Sequence, residues 1–346
     1  MHRFALRLDD TQGLLDYLVH RGHAKRGEDL MMARAGEGNM NCVVRVRLSD
    51  RSLIVKQARP WVEKYPSISA PVERAASEAH FYSLATKDRL LARMMSKLVD
   101  YDEASALLIL EDLAPARTLA DCYEGVPIET QLLQELARYT STLHRLTIPS
   151  NERHFLRNEA MRRLNHEHIF EVPLRTDGAW SKALDQITPG LDSAGEAFRR
   201  DMEFSKAVET LGERYLQHDG ASLIHGDLFP GSLLRTGSGE LGVIDPEFSF
   251  CGDPEFDIGV FYAHLLLSCQ EDDTCSFWLH AGLENTSLSK SLALQYAGVE
   301  ILRRILGVAQ LPGSLSLETK RDLLKRSREF VLAVPIEGVG DKRVVF

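Results

Sequence analysis

The sequence predicts an α+β protein of two lobes, a small one built on an antiparallel sheet and a larger one made mainly of helices. Three observations lead there. Short runs rich in β-branched and aliphatic residues, at 42–48, 53–57, 95–101 and 106–110, crowd the first third of the chain. From about Ile128 the apolar residues Leu132, Leu136, Tyr139, Leu143 and Leu146 recur at three- and four-residue steps, which is helical spacing. Between these regions Glu111-Asp112-Leu113, followed by Pro115, takes the chain out of the sheet. The boundary is therefore expected at 112/113, with 1–112 as the first lobe and 113–346 as the second.

Composition narrows the class. A chain of 346 residues can form one large domain or two lobes with separate cores. Its 44% apolar and 26% charged content is ordinary for a soluble globular protein. A net charge of −9 argues against a general nucleic-acid binder, though local basic groups can still converge on a small anion. No apolar run approaches the roughly 18 residues a bilayer demands, and the first twenty residues lack a secretory apolar core. The five cysteines, at 42, 122, 251, 269 and 275, are odd in number and show no CxxC spacing. Reduced thiols and a cytoplasmic location are expected rather than a disulfide framework or a zinc site.

Taken in order, Asp10 caps a first helix running through Leu14, Leu15 and Leu18 to about Arg21. Gly36-Glu37-Gly38-Asn39 then leads into a hairpin whose strands are joined by Ser49-Asp50-Arg51. Glycines at such an entry let backbone N–H groups approach phosphate oxygens, although glycine turns are common and this one alone decides little. No GxxxxGK[ST] run is present, so a Walker-type phosphate site has no support. Lys56 interrupts the apolar strand LIVKQ. It can pair with nucleotide phosphates or serve as an edge-strand charge against aggregation. Glu78, in a helix expected over 72–85, is placed to hold that lysine, and Pro60, Trp61, Tyr65 and Pro66 mark a structured loop between them. Further on, His144 reads as a packing or capping residue, and 150–200 is polar with helical fragments around Leu164 and Ala183. Helices are expected at 202–216, 289–306 and 317–333, with a buried one through IGVFYAHLLLSC.

The densest chemistry lies at 222–257, where brief apolar strands alternate with carboxylates. His225-Gly226-Asp227, then Ser232, then Asp245 eighteen residues after Asp227, have the layout of a catalytic loop followed by a metal loop. Phosphoryl transfer needs a carboxylate to accept or orient the nucleophilic hydroxyl, carboxylates to hold Mg²⁺ on the phosphates, and cations to spread the charge. Asp227 fits the first role, Asp245 the second, and Lys56 with the glycine turn the third.

On these residues the chain resembles the protein-kinase-like small-molecule kinases, the superfamily of aminoglycoside phosphotransferases and choline kinases, and within it the methylthioribose kinase family. The likeness runs over roughly 30–330 and implies a bilobal protein-kinase-like fold that uses ATP and Mg²⁺. Gly36, Gly38, Asn39 and Asn41 match a GDGNLN-like phosphate loop, and Lys56 matches the strand lysine within Ile54-Val55-Lys56-Gln57-Ala58. Glu111 and Leu113 belong to an EDL hinge whose backbone would hold adenine. Asp227 and Ser232 fall in an HGDLHTGS-like run, Ser232 standing where protein kinases carry a metal-binding asparagine. Asp245 and Glu247 form a DPEF metal motif, and Arg303-Arg304 match a sugar-binding pair, with helix-surface arginines as the other reading. The resemblance further implies a hydroxyl-bearing small molecule as partner, a sugar, with neither nucleic acid nor membrane, and allows for a homodimer.

Phe229 and Pro230 depart from the family's histidine and threonine, and 250–257 is closer to the general aminoglycoside phosphotransferase pattern. The acceptor thus stays open between 5-methylthioribose at its 1-hydroxyl, in methionine salvage, and an aminoglycoside, amino sugar or glycated amine. A non-catalytic, pseudokinase-like binding protein is disfavoured by Lys56, Asp227 and Asp245. A hydrolase using Ser232 and His225 is disfavoured by the lack of a GxSxG elbow.

Overall fold

The structure, a computed structural model, describes residues 3–36, 40–175, 179–284, 287–311 and 315–332. The chain forms two compact units. The first takes in 1–121, 128–165 and 219–253, and the second 122–127, 166–218 and 254–346.

The first unit opens with α1 (Thr11–His20), capped as expected by Asp10, whose carboxylate accepts from the Gly13 N–H at 2.8 Å. Strands β1 (Met31–Arg34), β2 (Asn41–Arg47) and β3 (Ser52–Ala58) follow, then a small hairpin of β4 (Trp61–Val62) and β5 (Tyr65–Ser69). After α2 (Arg74–Ala85) and the short α3 (Arg89–Arg93) come β6 (Leu98–Asp102) and β7 (Leu107–Glu111). Five of these strands form one antiparallel sheet in the order β1-β2-β3-β7-β6. Alternate residues of β2, Val44 and Val46, join Val55, Leu107, Ile109, Leu14 and Leu18 in one buried cluster, so α1 covers one sheet face. β3 lies at the centre of the sheet and its residues Val55 to Ala58 are all buried. Lys56 is therefore no edge-strand charge.

The same unit continues through β8 (Ala116–Thr118), α4 (Thr130–His144) and α5 (Glu159–His166). It resumes with β9 (Ser222–Ile224), β10 (Leu233–Thr236), β11 (Leu241–Val243) and β12 (Phe250–Gly252). These make a three-stranded sheet β11-β10-β8 and a two-stranded pair β12-β9. The boundary expected at 112/113 lies inside this unit, because β8 pairs with β10 more than a hundred residues later.

The second unit is helical: α6 (Ala179–Ile187), α7 (Leu191–Arg199), α8 (Met202–Gln217), α9 (Pro254–Leu267), α10 (Asp272–Gly282), α11 (Lys290–Leu306) and α12 (Leu317–Val331). As the run from Ile258 predicts, α9 is mostly apolar and buried along nearly its whole length, with Glu255, Asp257 and His264 among its buried residues. It packs on α11, which also packs on α12. The Trp278 ring meets Phe261 edge-on, and its indole N–H donates to the Ile258 carbonyl at 3.0 Å, fixing α10 to α9. Among the described residues no helix is long and apolar enough to cross a membrane. All five cysteines are free thiols.

Candidate active site

Lys56 sits in the first unit with its side chain 3% exposed, in the central strand of the sheet. A buried ammonium is costly unless paired. Its Nζ lies 2.9 Å from Glu78 Oε1 on α2 and 2.9 Å from Asp245 Oδ1 after β11. Burial alone would lower the lysine pKa, but Asp245, Glu78 and Glu247 override it and hold the ammonium charged, well above its ordinary value. Burial is likewise the largest influence on Glu78; with Asp245 and Glu247 nearby it raises that carboxyl against the pull of Lys56. Asp245 differs from both partners, since its side chain is 46% exposed. One oxygen is held by the lysine while the group faces solvent. Its backbone has φ 63°, a left-handed conformation that aspartate tolerates better than most residues.

Two residues on, Glu247 is held from three directions. Its Oε2 accepts from the Asn41 carboxamide N–H at 3.0 Å and pairs with Arg74 Nε at 3.1 Å. The Asn158 carboxamide donates to the main-chain carbonyls of Glu247 and Ser249 at 2.8 and 3.0 Å. Arg74 is fully buried at the start of α2, and its guanidinium also donates to the carbonyls of Met40, Arg59 and Pro71.

The loop around Asp227 is built from main-chain geometry. Gly226 has φ 82°, and a Cβ there would collide with the Phe248 carbonyl oxygen, so only glycine lets the loop lie against the segment that follows Asp245. His225 Nε2 is 2.9 Å from the Ile244 carbonyl, which can only accept, so the proton sits on Nε2. Its Nδ1 is left to accept from the Asp227 N–H at 3.4 Å. The Ser232 hydroxyl donates to the Asp227 carbonyl at 3.0 Å, and the Ser232 carbonyl accepts from the Ile244 N–H at 3.0 Å. His225 and Ser232 thus brace Asp227 and tie its loop to the strand that delivers Asp245.

Of the other sequence-predicted residues, Gly36 has φ 70° beside β2, while Gly38 and Asn39 lie outside the described residues. Asn41 is described, and its carboxamide is turned toward Arg74 and Glu247. Glu111 ends β7, its N–H donating to the Lys97 carbonyl at 2.9 Å, and the Leu113 side chain lies against Gly242. Between them the Asp112 carboxylate accepts from Arg45 Nε at 2.7 Å, the Ser52 hydroxyl at 2.5 Å and the Ala114 N–H at 3.1 Å, which stiffens the segment. Arg303 and Arg304 belong to the second unit and are each only 7% exposed, so they are not helix-surface arginines. They pair with buried Glu300, which also receives His264 Nε2 at 3.0 Å.

Sequence reading missed Arg74, Asn158 and Asp112. Arg74 had one available signal, a position four residues before Glu78 on the same helix face. Asn158 had none, because its partners stand 89 and 91 residues away.

The chemistry of the donors fits a hard divalent cation. Asp245 and Glu247 offer carboxylate oxygens, and Mg²⁺ takes one or two carboxylates together with phosphate and water. Among the described residues no cluster of three or more His, Cys, Asp or Glu side chains occurs.

Comparison with known proteins places this site in context. A family model described as a phosphotransferase enzyme family matches residues 32–274. The chain is 28% identical over 360 aligned positions to a methylthioribose kinase of Geobacillus sp. (strain WCH70), covering 92% of this chain and 88% of the relative. It is 25% identical to the methylthioribose kinase of Exiguobacterium sibiricum, covering 86% and 87%. Among solved structures, spectinomycin phosphotransferase APH(9)-Ia in complex with ADP and spectinomycin superposes with a TM-score of 0.55 at 13% identity, covering 92% and 97%. At that identity the likeness carries the fold alone, the α+β protein-kinase-like fold expected from the sequence.

Proposed function

Because the chain belongs to the phosphotransferase enzyme family and is a small-molecule kinase, we propose that it transfers the γ-phosphoryl group of ATP to the 1-hydroxyl of 5-methylthioribose, a step of methionine salvage. The observation that carries the kinase chemistry is the buried ion pair of Lys56 with Glu78 and half-exposed Asp245. It sets a permanent cation beside a carboxylate open to solvent, the pairing that phosphate charge and a divalent ion both need. The acceptor rests on the names of the relatives; Arg303 and Arg304, proposed to receive it, are each 7% exposed and pair with Glu300.

In this reading Asp227 receives or orients the acceptor hydroxyl, and His225 and Ser232 keep its loop rigid. Lys56, ordered by Glu78, draws negative charge from the phosphates. Gly36, Gly38 and Asn39 are assigned to phosphate binding, and the main chain at Glu111 and Leu113 to adenine. Asp245 and Glu247 would hold Mg²⁺, which when bound neutralises charge on the phosphate oxygens. Residues 1–112 act as the nucleotide lobe and 113–346 as the catalytic and acceptor lobe. The protein is read as working in the cytoplasm on a small molecule, without nucleic acid or membrane, and a homodimer is compatible with this reading.

A second reading, the same chemistry on an aminoglycoside, amino sugar or glycated amine, is favoured by Phe229-Pro230 and by Gly252-Asp253-Pro254. Steady-state ADP release under Mg-ATP separates the two. Methylthioribose is expected to stimulate release well above the acceptor-free rate; stimulation only by an amino-bearing acceptor would replace the first reading with the second. Asp227→Ala should lower turnover by about 10²–10⁴-fold. Unchanged turnover in that variant would remove Asp227 from the chemistry.

A further inference from the structure

Asn41 occupies the last position of the glycine-rich run, where a role on phosphate would be expected, yet its carboxamide is committed elsewhere. Its Oδ1 accepts from Arg74 Nε at 3.0 Å, and its Nδ2 donates to Glu247 Oε2 at 3.0 Å. Arg74 Nε reaches the same Glu247 oxygen at 3.1 Å. The Asn41 hydrogen bond and the Arg74 ion-pair contact described for the Glu247 carboxylate thus both fall on Oε2. We propose that Asn41 and Arg74 are positioning residues that reserve Oε2 of Glu247 and so present Oε1 as a single-oxygen ligand to the nucleotide-bound divalent cation. The inference rests on the kinase reading above and assigns a part of that site which the sequence left to phosphate binding.

Three features support a built arrangement over a chance contact. Asn41 and Glu247 are 6% and 5% exposed and Arg74 is fully buried, so solvent competes little for these bonds. Arg74 also donates to the carbonyls of Met40, Arg59 and Pro71, which fixes the guanidinium plane before it meets the carboxylate. The Glu247 main chain is clamped separately by Asn158. With backbone and one oxygen fixed, the remaining oxygen has one place to point. A single-oxygen ligand suits Mg²⁺, whose octahedral shell keeps room for phosphate and water. Outer partners of this kind orient a ligating carboxylate, and losing one costs about 10- to 100-fold in metal affinity.

The test uses the full-length protein with Mn²⁺ as probe and a non-hydrolysable ATP analogue, following free Mn²⁺ by electron paramagnetic resonance. Asn41→Ala and Arg74→Lys are compared with wild type and with Glu247→Gln. Lysine keeps the charge of Arg74 but lacks the planar fork that spans carboxylate and carbonyls. Both variants are expected to weaken Mn²⁺ binding in the ternary complex by about 10- to 100-fold, while their metal-free affinity for the analogue moves far less. If Arg74→Lys does not fold, Asn41→Ala decides alone. Weakened Mn²⁺ binding in Glu247→Gln but not in Asn41→Ala overturns the positioning role and leaves the kinase reading intact. A loss of metal-free analogue affinity in Asn41→Ala without a change in Mn²⁺ affinity returns Asn41 to the phosphates. Wild type that binds no Mn²⁺ with the analogue overturns both the inference and the reading beneath it.

Discussion

A methyl group at residue 226 would meet the Phe248 carbonyl oxygen on a backbone already at φ 82°, so Gly226→Ala carries two penalties at once. The left-handed conformation costs an L-residue about 1–2 kcal/mol, and the collision forces either the Asp227 loop or the Asp245 loop to move. Urea unfolding is expected to show a loss of at least about 2 kcal/mol. Turnover of the protein that remains folded should fall as well, since Asp227 is the next residue along. A variant as stable as wild type would mean the loops are not pressed together. At this scale the sequence was legible wherever a charged residue interrupts an apolar strand or follows a short one, as with Lys56, Asp227, Asp245 and Glu247. It was silent where a polar residue works only through distant partners. Asn41 and Glu247 are 206 residues apart, and Asn158 serves carbonyls whose positions no local pattern announces.

Helix α11 shows how one element organises charge. Glu300, Arg303 and Arg304 fall at i, i+3 and i+4, and therefore on one face, inside the second unit. Burial alone would raise the Glu300 pKa, but Arg303, Arg304 and His264 override it and hold the carboxyl well below its ordinary 4.5. A folded-state pKa below the unfolded one means that the unfolded chain takes up the proton first as pH falls. The stabilisation is complete above the unfolded value and is lost progressively on acidification. Glu300→Gln cannot titrate, so its stability should fall less steeply than that of wild type between about pH 5 and about pH 3. At neutral pH the variant should be less stable by about 3–5 kcal/mol, because two buried guanidinium groups lose their carboxylate. Urea midpoints across that range check both statements, and parallel acid limbs would show that Glu300 is not the titrating group. The elements foreseen from sequence were those with strong periodicity or continuous apolar runs, such as β2, β3, α4, α9 and α11. Several of those missed buried little, although the three residues of the missed β12 are all buried. β1 has no buried residue, β4 and β5 are two and five residues long, and α10 buries only Cys275 and Trp278.

For the molecule as a whole, nucleotide and metal should act as stabilising ligands. A ligand at 100 times its dissociation constant adds about 2.7 kcal/mol to the stability of the state that binds it. Thermal unfolding with a non-hydrolysable ATP analogue should therefore shift upward, and further with Mg²⁺ than without. The Mg²⁺-dependent increment should vanish in Asp245→Asn, whereas an increment that survives would take Asp245 off the metal. The fold class and the order of its parts were legible because sheet and helix patterns occupy separate stretches of sequence. The division into compact units was not, because pairing such as that of β8 with β10 depends on strands far apart in the chain.

That interleaving sets a timetable for synthesis. Lys56 and Asp245 are separated by 189 residues, so at about 5–20 residues per second the lysine leaves the ribosome some 10–40 s before its second carboxylate exists. Over that interval Glu78 is its sole acidic neighbour of the final set, and Arg74 waits nearly as long for Glu247. A nascent chain halted after its first sheet would carry two arrested cations designed for partners not yet made. Ribosome-bound chains of increasing length, probed by limited proteolysis, are expected to acquire protection of 40–85 only once residue 253 has cleared the exit tunnel.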